Sequence, residues 1–350
     1  MKALYKNERE KKMKKVLLFV AVLLIGFGFA ACKEDDGKIV IGANIYTYGD
    51  NFMNGVVRPE LERYATEKGI TLDIVDSEND QAKLNDQVDV FISKGVDALA
   101  INLVDPAAAS TIINKAKAAN IPLILFNKEA TEAGVMATYD KVWYVGTDSA
   151  EAGVIQGEMM VADWNANKAT WDKNGDNKVQ YVLLKGEPGH PDAEARTIES
   201  VKAFTDAGIV VEQLAIQAST TWNTGEAQAT MQSWLSNATF GDNIELVISN
   251  NDGMAFGAYA AMEEANIFLP LYGVDALTEA LTMIGADEMN GTVLNDGVNQ
   301  ARATLDLAIN AAQGKDVTEG TDWVVKSDGT KAVRVAYVAV TKANYQDFLS

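Results

Sequence analysis

Residues 179–196 read Val179-Gln180-Tyr181-Val182-Leu183-Leu184-Lys185-Gly186-Glu187-Pro188-Gly189-His190-Pro191-Asp192-Ala193-Glu194-Ala195-Arg196. An apolar run of strand type, 179–184, ends in a Gly/Pro turn and opens a helical stretch. A strand that stops at such a turn leaves its turn residues at the open end of a parallel sheet. Here they are an imidazole, a carboxylate and, one helical turn on, a guanidinium: His190, the single histidine of the chain, with Asp192 and Arg196. Such a mixture suits a neutral polyol, whose hydroxyls both donate and accept. A phosphate would favour glycines and lysines without acids. Read plainly, the stretch is a turn before a helix capped by Asp192, which leaves the meeting of three polar types unexplained.

The same strand-then-helix rhythm runs outward in both directions. Short apolar runs occur at 39–45, 71–75, 98–101, 123–126, 143–145, 179–184, 210–216, 246–248, 268–272 and 291–293. Amphipathic segments lie between them at 57–68, 82–94, 111–119, 150–164, 194–207, 225–235, 255–265 and 300–313. This alternation predicts parallel sheets with right-handed crossovers. About ten strands exceed one comfortable open sheet, so the expectation is an α/β protein of two doubly wound parallel-sheet lobes. The halves echo each other: 98–106 runs strand, Asn-Leu-Val-Asp, helix, and 246–254 runs strand, Asn-Asn-Asp-Gly, helix. Ligands gather beyond the carboxyl ends of such strands, which makes Tyr48, Asp50, Asn102, Asp105, Asn127, His190, Asp192, Asn251, Asp275 and Asn295 candidates.

With 350 residues, 48% of them apolar, the chain suits two ordinary domains, and a formal charge of −19 argues against nucleic acid as a partner. Cys32 is the only cysteine, so no internal disulfide forms. Lys11, Lys12, Lys14 and Lys15 precede an apolar run over 16–29, and Ala30-Ala31-Cys32 follows it. That run is about 14 residues, short of the roughly 20 that span a bilayer. The pattern predicts a lipoprotein signal peptide over 1–31, cleavage before Cys32, acylation of Cys32 and a polar tether over 32–38. Phe29 departs from the usual Leu three places before the cysteine, and Met13 is an alternative start.

A second signature lies at Asp172-Lys173-Asn174-Gly175-Asp176-Asn177-Lys178-Val179-Gln180. Oxygen-bearing side chains fall at places one, three, five and nine of an EF-hand-type loop: Asp172, Asn174, Asp176 and Gln180, with the Lys178 carbonyl at place seven. Place six, usually Gly, is Asn177, which tolerates the left-handed conformation. Place twelve, usually a bidentate Glu, is Leu183, so a carboxylate must arrive from elsewhere. An ion here would brace a lobe; the plain alternative is an Asp/Asn-rich turn.

Taken together, Asp50-Asn51-Phe52-Met53, 100–106, 183–196, Asn250-Asn251-Asp252, 273–277 and 291–296 resemble the D-galactose/D-glucose-binding branch of the type I periplasmic binding proteins of sugar transport and chemotaxis. The resemblance covers nearly everything after the tether. It implies two lobes joined by three hinge crossings, near 144–147, at Asn295 and near 334–337, with an N-terminal lobe of 39–145 plus 296–334 and a C-terminal lobe of 146–295 plus 335–350. It places the sugar ligands at Asp50, Phe52, Asn102, His190, Asp192, Arg196, Trp222, Asn251, Asp275 and Asn295, with Phe52 and Trp222 sandwiching a pyranose. Asp50 would face the 4-hydroxyl, where a carboxylate can serve either epimer. It also supplies the missing acid of the cation loop as Glu245, giving a structural Ca2+ held by Asp172, Asn174, Asp176, Lys178, Gln180 and Glu245. The implied partners are D-glucose or D-galactose, the membrane components of an ABC transporter, and a chemoreceptor. The implied protein is a monomeric, membrane-anchored lipoprotein of the periplasm or cell surface, and not an enzyme.

Each residue also has a plainer role open to it. Phe52 could staple the first helix, Trp222 could fill a core, and Asn102, Asn251 and Asn295 could cap helices. A carbohydrate-active enzyme of the cell envelope could draw an acid and a nucleophile from Asp50, Asp192 and Asp275. Against it, Arg196 beside Asp192 would lower that carboxyl rather than raise it. A sugar-responsive transcription regulator would need a basic helix-turn-helix before residue 39, where a secretion signal and an acidic tether stand instead.

Overall fold

The computed structural model describes residues 37–349, of which the segment from Ile39 onward forms one compact unit. The signal peptide, Cys32 and most of the tether lie outside the described residues.

Two six-stranded sheets organise the chain. The first contains β1 (Val40–Ile45), β2 (Thr71–Asp76), β3 (Ala98–Ile101), β4 (Leu123–Phe126), β5 (Val142–Gly146) and β11 (Ala332–Arg334), in the order β11-β5-β4-β3-β1-β2. All its pairings are parallel. β3 and β4 are buried along their whole length, as uninterrupted apolar runs require when helices cover both faces. The helices of this lobe are α1 (Arg58–Lys68), α2 (Gln81–Lys94), α3 (Ala109–Ala119) and α9 (Gly297–Ala312). α9 packs on α1 and across β3 and β4, while α2 and α3 pack on each other.

The second sheet contains β6 (Lys178–Lys185), β7 (Val210–Ala218), β8 (Leu246–Ser249), β9 (Leu271–Tyr272), β10 (Gly291–Leu294) and β12 (Val338–Thr341), in the order β12-β10-β9-β8-β6-β7. Around it lie α4 (Ser149–Trp171), α5 (Pro191–Asp206), α6 (Thr224–Leu235), α7 (Asp252–Ala265) and α8 (Thr278–Gly285). The chain passes between sheets after β5, after β10 and after β11. Two of these passages are tied together, because Thr147 Oγ1 donates to the Tyr337 hydroxyl at 2.9 Å.

Several elements differ from the sequence reading. β12 runs antiparallel to β10, so the second sheet is mixed rather than wholly parallel. β11 and β12, separated by three residues, make strands of a stretch that reads as a bare hinge passage. β9 is confined to Leu271–Tyr272; Phe268, expected inside it, is 65% exposed. The short helix α8 had no counterpart among the amphipathic segments. α5 begins at Pro191, and its N-cap is His190 rather than Asp192: His190 Nδ1 accepts from the Asp192 backbone N–H at 3.1 Å.

Candidate functional site in the interlobe cleft

The carboxyl ends of the two sheets meet across a cavity whose ≈ 330 Å³ of empty space includes open solvent at its mouth. Its walls are Tyr46, Asp50, Phe52, Met53 and Asn127 from the first lobe, His190, Asp192, Arg196, Trp222, Asn251 and Asp275 from the second, and Asn295 at a crossing. Of the residues expected to bind sugar, Asn102 alone is not among them. It is fully buried one layer back: its Oδ1 accepts from Tyr46 N at 2.9 Å, and its Nδ2 donates to Phe126 O at 3.2 Å and to Asn127 Oδ1 at 3.3 Å. Tyr48 and Asp105 also stand away from the cavity; Arg58 covers the Tyr48 ring, and Asp105 caps a short turn through Ala107 N. Tyr46 and Met53, absent from the candidates, do line it.

The apolar walls depend on two glycines. Trp222 lies so close to Gly186 that a Cβ there would fall within the indole. Across the cleft, a Cβ on Gly297 would lie 2.9 Å from the edge of the Phe52 ring. The strand-end turn and the start of α9 thus leave out side chains where the two rings must sit. Trp222 holds φ 55°, in the left-handed region that costs a bulky residue energy. His190 meets its indole edge-on, with centroids 5.3 Å apart and planes at 81°.

The polar walls are set by caps and by a charged cluster. His190 Nδ1 is committed as an acceptor, which leaves Nε2 to carry the proton and donate. Burial pushes the imidazole down to about 3, so it is neutral at physiological pH. Asp50 accepts from Met53 N at 2.7 Å and from the Tyr46 hydroxyl at 2.6 Å, and each carboxylate oxygen keeps a further lone pair. Asn251 caps α7 through Met254 N, so the cap role and a site role coincide in one residue. Asn295 donates to Asp275 Oδ1 at 3.2 Å and accepts from Gln300 Nε2 at 2.6 Å.

Arg196 is the centre of charge. Its Nη1 donates to Asn250 O at 2.8 Å and its Nη2 to the Tyr337 hydroxyl at 2.9 Å and to Asp192 Oδ2 at 3.5 Å, while Ser149 Oγ donates to Asp192 Oδ1 at 2.6 Å. The buried Arg196 Nε has no acceptor among the described residues. Burial works against this charge, but Tyr337, Asp192 and Asp275 outweigh it. Asp275 sits at φ 129° and Ala276 at φ 54°, a strained turn strapped by Asp252, which accepts from Leu277 N and Thr292 Oγ1. Burial, and then the carboxyls of Asp252 and Asp50, raise Asp275 well above the usual carboxylate range, with Arg196 opposing. The site therefore offers neutral and anionic acceptors, a neutral imidazole donor and an arginine N–H between two aromatic planes. That combination binds hydroxyl-rich, uncharged molecules.

The cation loop lies at the start of β6. Asn177 adopts φ 63°, the left-handed turn expected at its place. Asp172 Oδ1 and Gln180 Oε1 are buried oxygens without a donor among the described residues. Glu245 reaches the loop from the start of β8, accepting from Lys173 N at 2.7 Å and Gln180 N at 3.0 Å. Burial raises its carboxyl, and Asp172 and Asp176 add to that. No three His, Cys, Asp or Glu side chains close a cation cage by themselves among the described residues. Amide and main-chain oxygens would have to complete one. Buried orphan oxygens beside clustered carboxylates fit a hard cation. Lys178 Nζ, 3.6 Å from Asp176 Oδ2, is a competing positive charge.

Comparison with known proteins agrees with this geometry. The periplasmic binding protein domain family matches residues 41–316. The D-galactose/methyl-galactoside binding periplasmic protein of Haemophilus influenzae is 51% identical over 310 residues, covering 88% of this chain and 91% of the relative. An ABC transporter solute binding protein of Bacillus halodurans, solved with bound myo-inositol, superposes with a TM-score of 0.74 at 27% identity over 90% of this chain and 99% of the other. A periplasmic solute binding protein of Actinobacillus succinogenes with bound D-allose shares the fold, with a TM-score of 0.74 at 23% identity over 89% and 100%. The chain belongs to the periplasmic binding protein family, and it is a binding protein rather than an enzyme.

Proposed function

We propose that the protein captures D-glucose or D-galactose in the interlobe cleft by hinge closure and delivers it to an ABC sugar transporter. The observation that carries this reading is the pairing of Phe52 and Trp222, one from each lobe, as walls of one cavity whose other sides are hydrogen-bonding groups. A pyranose presents apolar C–H faces to such rings and a rim of hydroxyls to the polar set. Because the contacts are shared between lobes, the sugar binds the closed form better than the open one and shifts the population toward it. A micromolar site needs only about 8 kcal/mol net, within reach of a few hydrogen bonds to charged groups at roughly 1.5–3 kcal/mol each.

The closed monomer would be what the transporter, and a chemoreceptor, read. Acylated Cys32 would tether it at the membrane, in the periplasm or on the cell surface. Asp172, Asn174, Asp176, the Lys178 carbonyl, Gln180 and Glu245 would hold Ca2+, which neutralises the loop carboxylates and braces the start of β6. Calorimetric titration with glucose, galactose, ribose and xylose, with and without calcium, tests the reading. Both hexoses should bind more tightly than either pentose. Absence of heat with both hexoses would overturn it.

A further inference from the structure

Lys128 leaves the carboxyl end of β4 fully buried, an uncommon place for an ammonium. Its Nζ lies 3.8 Å from the centroid of the Tyr46 ring and donates to Val104 O at 3.1 Å and to Glu187 Oε2 at 2.6 Å. Glu187 belongs to the turn after β6, so this ion pair crosses from one lobe to the other. On the near side, the Tyr46 hydroxyl donates to Asp50 Oδ2 at 2.6 Å. Glu187, Lys128, Tyr46 and Asp50 therefore form one chain of contacts, from the opposite wall of the cleft to a cavity-lining carboxylate.

We propose that Lys128 is a positioning residue that couples lobe closure to the presentation of Asp50, with Glu187 as its partner across the cleft. The inference rests on the sugar-capture reading. In an open form Glu187 withdraws and water reaches the ammonium, so neither charge is stranded. Closure excludes that water, and an unpaired ammonium in the dry site would oppose it. Glu187 removes the opposition. The paired ammonium then lies on the face of the Tyr46 ring, draws electron density from the phenol and strengthens its hydrogen bond to Asp50. The contribution belongs to the closed state alone, so its loss should speed opening and leave the first encounter with sugar unchanged.

Stopped-flow tryptophan fluorescence with glucose on wild type, Glu187→Gln, Lys128→Met, Tyr46→Phe and the Glu187→Gln/Tyr46→Phe double variant tests this. Glu187→Gln should raise the dissociation rate at least about tenfold with the association rate within about twofold, as expected for a truncated buried charge pair. The sugar-free unfolding midpoint of Glu187→Gln should stay near that of wild type. The double variant should lose less than the sum of its singles, because both act through Asp50. Dissociation rates within twofold of wild type in both Glu187→Gln and Lys128→Met, or strict additivity in the double variant, would overturn the coupling while hexose capture stands. A wild type that binds neither hexose would overturn both.

Discussion

From the first lobe the cleft receives Asp50 and Phe52 with Tyr46, Met53 and Asn127 around them; from the second it receives His190, Asp192, Arg196, Trp222, Asn251 and Asp275. The first lobe's groups are held by ordinary means, a backbone N–H and a tyrosine hydroxyl on Asp50 and a close-packed glycine behind Phe52. The second lobe carries the buried arginine, its flanking carboxyls and three positive-φ positions at non-glycine residues, Trp222, Asp275 and Ala276, where the first lobe's wall has one, Asn127, and its one buried cation, Lys128, is paired from the other lobe by Glu187. Strain and buried charge of this kind persist only where the surroundings over-determine them. The second lobe is therefore the more strongly preorganised half of the site, and under the hinge-closure proposal the first is the half that closes on it.

If that asymmetry is right, the largest single effect comes from Arg196. Arg196→Met strands the buried Asp192 carboxylate without its cation and should cost about 3–5 kcal/mol of stability, as breaking a buried ion pair does. It should also abolish sugar binding. Urea unfolding and calorimetry read the two losses separately. A variant as stable as wild type would mean that the carboxyls are already protonated and that Arg196 is not the keystone.

Next come the rings. Gly186→Ala drives a methyl into the Trp222 indole, so hexose affinity should fall by roughly a hundredfold, as removal of a well-packed hot spot does. Gly297→Ala meets the edge of the Phe52 ring at 2.9 Å and Val56 Cγ1 at 3.0 Å, both at side-chain ends. That ring can yield, and a loss of about fivefold is expected, on the scale of a modest repacking cost. Equal losses on the two sides would erase the distinction between a fixed wall and a closing one.

A smaller effect follows from His190. Its folded-state pKa of about 3 lies below the ordinary value of 6.5. The unfolded chain therefore binds a proton between these values that the native state refuses, and stability falls as pH drops from 6.5 toward 3. Asp275 works in the opposite direction, since its raised carboxyl holds a proton that the unfolded chain releases above its ordinary pKa. Thermal unfolding of His190→Gln between pH 7 and pH 4 should decline less steeply than wild type. An unchanged slope would mean that the imidazole is not neutral in the folded protein.

How much of this was legible beforehand depends on whether a feature is local. Buried parallel strands read as apolar runs, and their polar carboxyl-terminal residues mark the site, which is why Asp50, Asn127, His190, Asp192, Asn251, Asp275 and Asn295 are candidates from order alone. Arg196 joins them through its place one helical turn after His190 and Asp192, whereas Phe52 and Trp222 needed the resemblance to be candidate ligands, because a lone aromatic has no single reading. β11 and β12 escaped because three or four alternating residues on either side of a crossing look like a linker. Tyr46, directly after an apolar run, reads as core. Lys128 reads as surface, since nothing nearby in the chain announces that Glu187 will meet it from the other lobe. Asn102 shows the opposite limit: its position in the chain is that of a ligand, while its amide is engaged one layer behind the wall.

The smallest expected effect on hexose affinity is at the cation loop, which belongs wholly to the second lobe and lies at the opposite end of β6 from the turn that holds His190. Lys178 begins β6 and Lys185 ends it, so an ion at the loop can reach the cleft only through a strand that is already paired on both sides by β7 and β8. Chelation should lower the unfolding midpoint by several degrees, since a ligand at a hundredfold its dissociation constant contributes about 2.7 kcal/mol. Hexose affinity at 25 °C should change less than about threefold, because the strand keeps its register without the ion. Asp172→Asn should reproduce the lowered midpoint and make it insensitive to chelator. A large loss of sugar affinity on chelation would instead show that the preorganisation of the second lobe is borrowed from the ion, and that its rigidity is not intrinsic to the packing around Arg196 and Trp222.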